Sequence, residues 1–262
     1  MRKLTPRELG GFRLEMMSLL ARSPDPFSSV LYRVDAGPSR QRAKALGPAG
    51  SRRITLAPVV IKLIAHAIAA HPVYNQLILG RNVYQMEEIH IANIVMETET
   101  GALTYVIIAN PHQKSLQDIQ QELLAGMTAA RERAAAREPG FLALLTRLSY
   151  RYCLYRIIGQ KLTFSLAFER GLLSNISLAN HFYSSEANFT MLKDVVTPIN
   201  ISPKFHACGP VKKAIFENGM LVTKDIIELH VTTDHRIVNG FHCHQFGETL
   251  QRLAAHPEQY IS

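Results

Sequence analysis

A chain of 262 residues that is 47% apolar and 19% charged can bury a substantial core. It is too mixed in character for a disordered tail or a coiled coil. The longest apolar stretch, residues 57–70, is interrupted by Lys62 and His66 and falls short of the roughly 18 to 20 residues of a membrane span. The opening MRKLTPRELGGF lacks the hydrophobic core of a signal peptide. Cys153, Cys208 and Cys243 are odd in number and widely separated, which argues against a disulfide framework or a paired-cysteine zinc site. The expectation is a reduced, cytoplasmic protein with no membrane span and no metal.

The net charge of +8 is uneven. Residues 1–53 carry eleven Lys and Arg against four acids, which accounts for seven of the eight excess positive charges. A second basic group runs over 131–156. Such a bias attracts anionic partners in general. Without an RNA-binding, zinc-finger or glycine-rich signature, and with no Trp, no nucleic-acid partner is expected.

In chain order, residues 6–22 place Leu9, Phe12, Met16, Leu19 and Leu20 at helical spacing. SSVLYRV (28–34) predicts a strand, and the Pro- and Gly-containing stretch 35–50 predicts a connection with about one helical turn. Residues 55–71 predict a helix with Pro58 in its first turn. Two β-branched runs, 89–97 and 103–108, flank a turn at 98–101. A helix follows, with Ser115 as its cap and Asp118 three residues on.

Residues 128–160 form a basic, aromatic-rich helical stretch interrupted at Pro139–Gly140. Strand-like pieces then occupy 162–168, 172–178, 214–216 and 226–232, with an Asn218–Gly219 hairpin signal. A helix over 243–255 ends the chain. Strands and helices mix irregularly, which predicts an α+β mixed-sheet sandwich.

The sharpest chemical feature is His235, at the end of the last strand within Asp234-His235-Arg236-Ile237-Val238-Asn239-Gly240. An imidazole just past a buried strand, with Asp, Arg and Asn beside it, suits a general base. A hydrogen-bonded structural histidine is the alternative. Phe241-His242-Cys243-His244 invites a metal, but neighbouring helix positions face different ways. His66 and His71 on the apolar helix read as packing residues. No glycine-rich phosphate loop is present.

The segment 234–240 resembles the Asp-His-Arg-x-x-Asp/Asn-Gly signature of the dihydrolipoyl acyltransferases of 2-oxoacid dehydrogenase complexes and, more distantly, chloramphenicol acetyltransferase. The likeness continues through the terminal helix to Ala255-His256-Pro257-Glu258. It also covers ITLAPVVIKLIAHAIAAHPVYNQ, LTYVIIANPHQKSLQDIQQELL and Thr197-Pro198-Ile199-Asn200. Residues 128–195 are the least similar.

The resemblance implies the coenzyme A-dependent acyltransferase fold, with His235 as base in acyl transfer through a thioester. It implies a Ser or Thr hydroxyl that donates to the tetrahedral oxyanion across a subunit boundary. The best match for that hydroxyl is Ser174, in Gly171-Leu172-Leu173-Ser174-Asn175-Ile176-Ser177, with Thr190 as rival. The match departs from the family pattern at Leu172 and Ser177. Asn239, which the resemblance also places among the catalytic residues, stands where many relatives have Asp and some have Asn; an amide can still hydrogen-bond but cannot form an ion pair, so Arg236 needs another partner.

One catalytic domain spanning 1–262 is therefore expected. It would have neither lipoyl nor subunit-binding domain, no covalently bound lipoyl group, coenzyme A or acyl-CoA as substrate, and a homotrimeric or larger assembly. The expected function is a stand-alone acyltransferase that takes a small-molecule or carrier-bound acyl thioester. The alternatives are a weakly active or inactive scaffold subunit and a catalytic core partner of a 2-oxoacid dehydrogenase complex.

Overall fold

The computed structural model describes residues 1–20, 26–46, 54–79, 82–96, 103–135, 176–181 and 203–261. In chain order the strands are β1 (Arg2–Lys3), β2 (Phe27–Asp35), β3 (Gln76–Leu79), β4 (Asn82–Gln85), β5 (His90–Met96), β6 (Leu103–Ala109), β7 (Ile176–His181), β8 (Lys204–Glu217) and β9 (Met220–Asp234). The helices are α1 (Pro6–Leu19), α2 (Gly37–Leu46), α3 (Leu56–Ala70), α4 (Leu116–Ala135) and α5 (Gly240–Ala255).

Six strands form one mixed sheet in the order β2-β9-β8-β7-β5-β6. The β5–β7 and β7–β8 pairs are parallel and the others antiparallel. A small sheet, β1-β4-β3, stands beside it. The expected mixed sheet with packed helices is what the chain forms.

Alternation sets the inner face of the large sheet. Phe205 and Ala207 on β8, Leu229 and Val231 on β9, Leu178 on β7 and Ile91 on β5 all enter the core. Helix α3 is apolar nearly all round, and residues Val59 to Ala65 are buried without a break. That pattern marks a helix enclosed by neighbours on every side. Its one buried cation, Lys62, donates to the Lys114 carbonyl at 2.5 Å. Helix α5 lies against β2 by close approach: a Cβ at Gly247 would sit 2.8 Å from the Tyr32 ring.

Several boundaries differ from the sequence expectation, each for a local reason. The stretch 35–50 is not a connection with a single turn. Residues Gly37–Leu46 form a ten-residue helix, which the Asp35 carboxylate starts by accepting from Gly37 N at 2.9 Å. Pro38 falls in its first turn, where proline is tolerated. The helix is held by tertiary contacts, with Ala43 and Ser39 buried, Arg40 paired to Asp225 and Tyr260 bonded to Ser39. Helix α1 stops at Leu19 and is interrupted at Gly10, whose φ of 75° only glycine adopts readily.

The pieces 214–216 and 226–232 belong to strands of 14 and 15 residues joined through Asn218 and Gly219, both at positive φ. Ser115 and Asp118 cap α4 reciprocally, as expected. The expected strand 162–168, the Pro139–Gly140 break, the turn at 98–101, Thr197–Asn200 and Cys153 lie outside the described residues. So does most of 172–178, of which β7 is the described part.

The histidines around α3 are packed rather than exposed. His71 bonds Thr249 at 2.7 Å, while His66 sits against the His112 and Tyr260 rings with its Nε2 buried and unpaired. Burial first, then the nearby Lys62 charge, pushes His66 from the ordinary 6.5 down to about 4; His71 and His112 shift the same way. In the unfolded chain these rings regain their ordinary affinity for protons. Between pH 6.5 and about 4 the unfolded state therefore binds more protons, so stability is greatest above this window and falls as pH drops through it. Urea midpoints measured across that range should decline toward acid, and the decline should be shallower in His66→Gln.

Candidate active site

The candidate site is built where β9 ends. Strand β9 pairs with β2 as far as Asp234 opposite Phe27, and His235 N then donates to Pro26 O at 2.8 Å. The chain turns at once, because Ile237 N and Val238 N both donate to Asp234 O at 2.9 Å. Ile237 and Val238 are buried, which pins the far side of the turn into the core.

The Asp234 carboxylate, 5% exposed, does most to shape this turn. It accepts from Arg236 N at 3.0 Å, from Arg236 Nε at 2.9 and 3.2 Å, and from Arg236 Nη2 at 2.5 Å. Arg236 thus finds in Asp234 the partner that Asn239 cannot supply. The guanidinium is held above its ordinary pKa by that hydrogen bond. Charge-assisted pairs of this fork geometry are strong and directional.

Between these two paired residues the His235 side chain is only partly buried. Its Nδ1 lies 3.0 Å from Val238 O. A carbonyl only accepts, so Nδ1 carries the hydrogen in the neutral ring and the lone pair is on Nε2. This is the tautomer a general base needs, and a backbone atom of its own turn selects it.

Asn239 directs its hydrogen bonds to His242 rather than to the His235 ring. Its side-chain oxygen accepts from His242 N at 3.1 Å, and its own N–H donates to His242 Nδ1 at 3.2 Å. This reciprocal cap starts α5 three residues earlier than its apolar periodicity predicts. The Asn239 side chain thereby fixes where the helix begins and so where the His235 turn ends. Ser174 and Thr190 lie outside the described residues.

The tripeptide His242-Cys243-His244 does not converge. His242 faces Asn239 and Arg13, Tyr32 donates to the Cys243 carbonyl, and the exposed His244 pairs with Glu248 one turn on. Two neighbours were not legible beforehand. Arg13 reaches His242 from α1, and Lys204 lies 5.5 Å above the Phe27 ring beside the turn. The Asn-x-x-His spacing was the one sequence signal for the cap; nothing local marks Arg13.

Solved structures share this architecture. A probable dihydrolipoamide acetyltransferase from Listeria monocytogenes 4b F2365 is 18% identical with a TM-score of 0.55, covering 99% of this chain and 96% of its own. A dihydrolipoamide acetyltransferase from Azotobacter vinelandii, studied for the roles of a serine, a histidine and an asparagine in its catalytic mechanism, is 16% identical with a TM-score of 0.62. That match covers 95% of this chain and 88% of the other. A chloramphenicol acetyltransferase is 18% identical with a TM-score of 0.54, over 94% of this chain and 96% of the other. No curated protein sequence matches.

These likenesses define the fold as that of acyltransferase catalytic cores. The sequence itself matches the 2-oxoacid dehydrogenases acyltransferase (catalytic domain) family over residues 9–139 and 201–262. The chain belongs to that family and is an acyltransferase.

The turn generates its own prediction. In Asp234→Ala a partly buried guanidinium loses its counter-ion and a backbone N–H loses its acceptor, which should lower stability by about 2 to 4 kcal/mol. Arg236→Gln should cost a comparable amount, because the residue-236 amide stays bonded but the more deeply buried carboxylate loses its counter-ion. Urea unfolding of the two variants gives the comparison.

Proposed function

We propose that this protein moves an acyl group between coenzyme A, or another thioester, and an acceptor, with His235 as the general base. One observation carries the reading: the Nδ1 contact to Val238 O leaves the Nε2 lone pair as the ring's only acceptor. In the proposed step, Nε2 takes the proton from the attacking thiol, hydroxyl or amine. The nucleophile bonds to the thioester carbonyl carbon, the carbonyl electrons move onto oxygen, and collapse expels the thiolate, which recovers the proton. A hydroxyl from Ser174 or Thr190 would donate to the oxyanion, and losing such a donor costs on the order of 3 kcal/mol. The histidine and asparagine studied in the Azotobacter enzyme stand four residues apart, as His235 and Asn239 do here, and that shared spacing supports the reading.

The chain is read as a single catalytic domain acting on its own, in a homotrimer that completes each site between subunits. Its β8–β9 ribbon supports assembly. Past the Asp35–Ile226 and His181–Cys208 pairs, residues 211–225 pair only with each other among the described residues. An isolated two-stranded ribbon is marginal in water. This one exposes Phe216 at 75%, Leu221 at 72%, Met220 at 66% and Val211 at 49%. Apolar residues so concentrated mark an interaction surface.

His235→Ala should lower kcat/KM for acetyl-CoA turnover by about 10²- to 10⁴-fold while leaving the circular dichroism spectrum unchanged. Undiminished turnover would remove the base assignment. Phe216→Ser combined with Leu221→Ser should reduce the mass found by sedimentation equilibrium from that of the trimer to that of the single chain.

A further inference from the structure

The contact between Arg13 and His242 holds more hydrogen-bond donors than acceptors. His242 is flanked on both nitrogens: Asn239 N–H points at Nδ1 from 3.2 Å, and Arg13 Nη2 lies 3.4 Å from Nε2. A backbone amide can only donate, so Nδ1 is the acceptor and the neutral ring carries its hydrogen on Nε2. That hydrogen faces a guanidinium, which has donors and no acceptor. Protonating the ring would remove the acceptor on Nδ1 and add a second positive charge.

The surroundings do not resolve the surplus. Arg13, half-buried on α1, has five N–H groups, and its other polar contact among the described residues is Gln76 Oε1 at a long 3.4 Å. Among the described residues Arg13 forms no ion pair. Gln76 turns its own amide to Gln85 at 2.9 Å, and the nearby His71 is engaged with Thr249. Burial lowers the proton affinity of both Arg13 and His242, as expected for two cationic groups brought together without a counter-ion.

We infer that Arg13 and His242 form a subsite for an anionic oxygen group, a phosphate or a carboxylate, which bridges the two side chains by accepting from the guanidinium and from His242 Nε2–H together. Two donors converging on one oxyanion is the arrangement proteins use for phosphate and carboxylate. The ring that supplies one donor caps α5 through Asn239, so the anion sits beside the turn that carries His235. Its purpose rests on the acyl-transfer reading: the group would belong either to the phosphates of the thioester carrier or to a carboxylate of the acceptor. Binding there would also hold α1 and the start of α5 together.

Isothermal titration with inorganic phosphate, at constant ionic strength on the full chain, tests this. Saturable binding at one site per chain is expected, weakened about tenfold in Arg13→Gln and in His242→Gln and largely kept in Arg13→Lys. Circular dichroism confirms that each variant is folded. No saturable binding, or binding untouched by both Gln substitutions, overturns the inference. Displacement of phosphate by coenzyme A but not by pantetheine assigns the anion to the carrier. Phosphate binding indifferent to coenzyme A assigns it to the acceptor. The same titration on His235→Ala separates this subsite from the base assignment, since phosphate binding should persist in a protein whose turnover is lost.

Discussion

The Asp234 carboxylate is the constraint on which the candidate site depends. A strand that ends in a two-residue turn leaves backbone amides without ladder partners, and buried amides must find acceptors. Asp234 provides them, with its main-chain oxygen taking the amides of Ile237 and Val238 and its side chain taking that of Arg236. The Arg236 guanidinium then neutralises a carboxylate that would otherwise be costly to bury. With the residues on both sides of it committed, His235 is placed by its neighbours, and the Val238 carbonyl chooses its tautomer.

The same economy of short-range contacts carries the turn into the helix. Asn239 and His242 satisfy each other's first-turn amides, so α5 starts immediately after the turn without an intervening loop. Phe246, Leu250 and Leu253 then lock the helix into the core with α3. A side chain held between a buried strand and a buried helix has little freedom left to lose, which is the condition for a preorganised site. The amide at position 239 has a structural consequence here. The amide caps a helix, the arginine that it cannot pair with turns to Asp234, and Arg13 on α1 is left facing an imidazole.

The contrast between the inner sheet and the protruding ribbon shows two uses of one pair of strands. Near the sheet, β8 and β9 alternate core and outer residues and are flanked on both sides. Farther out they carry apolar side chains into solvent, in a chain whose other large apolar residues are mostly enclosed. Apolar residues this exposed and this concentrated are the surface that the proposed assembly would cover.

The family, the mixed α+β character and the position of His235 were legible in the amino-acid order, because each is written locally. The signature is contiguous over 234–240, the β-branched runs alternate, and the Ser115–Asp118 and Asn218–Gly219 pairs are short-range codes. Helix α2 was not legible, since its buried Ser39 and Ala43 gain their partners from the other end of the chain. The partner of Arg236 was open among several acids until the turn closed on Asp234. Arg13 reaches His242 across 229 residues, and no periodicity encodes a contact of that length. Local order thus determined which chemistry the chain carries. Tertiary packing decided which nitrogen of His235 is free and which charges are left unpaired, because a tautomer and a counter-ion depend on atoms that only folding brings within hydrogen-bonding distance.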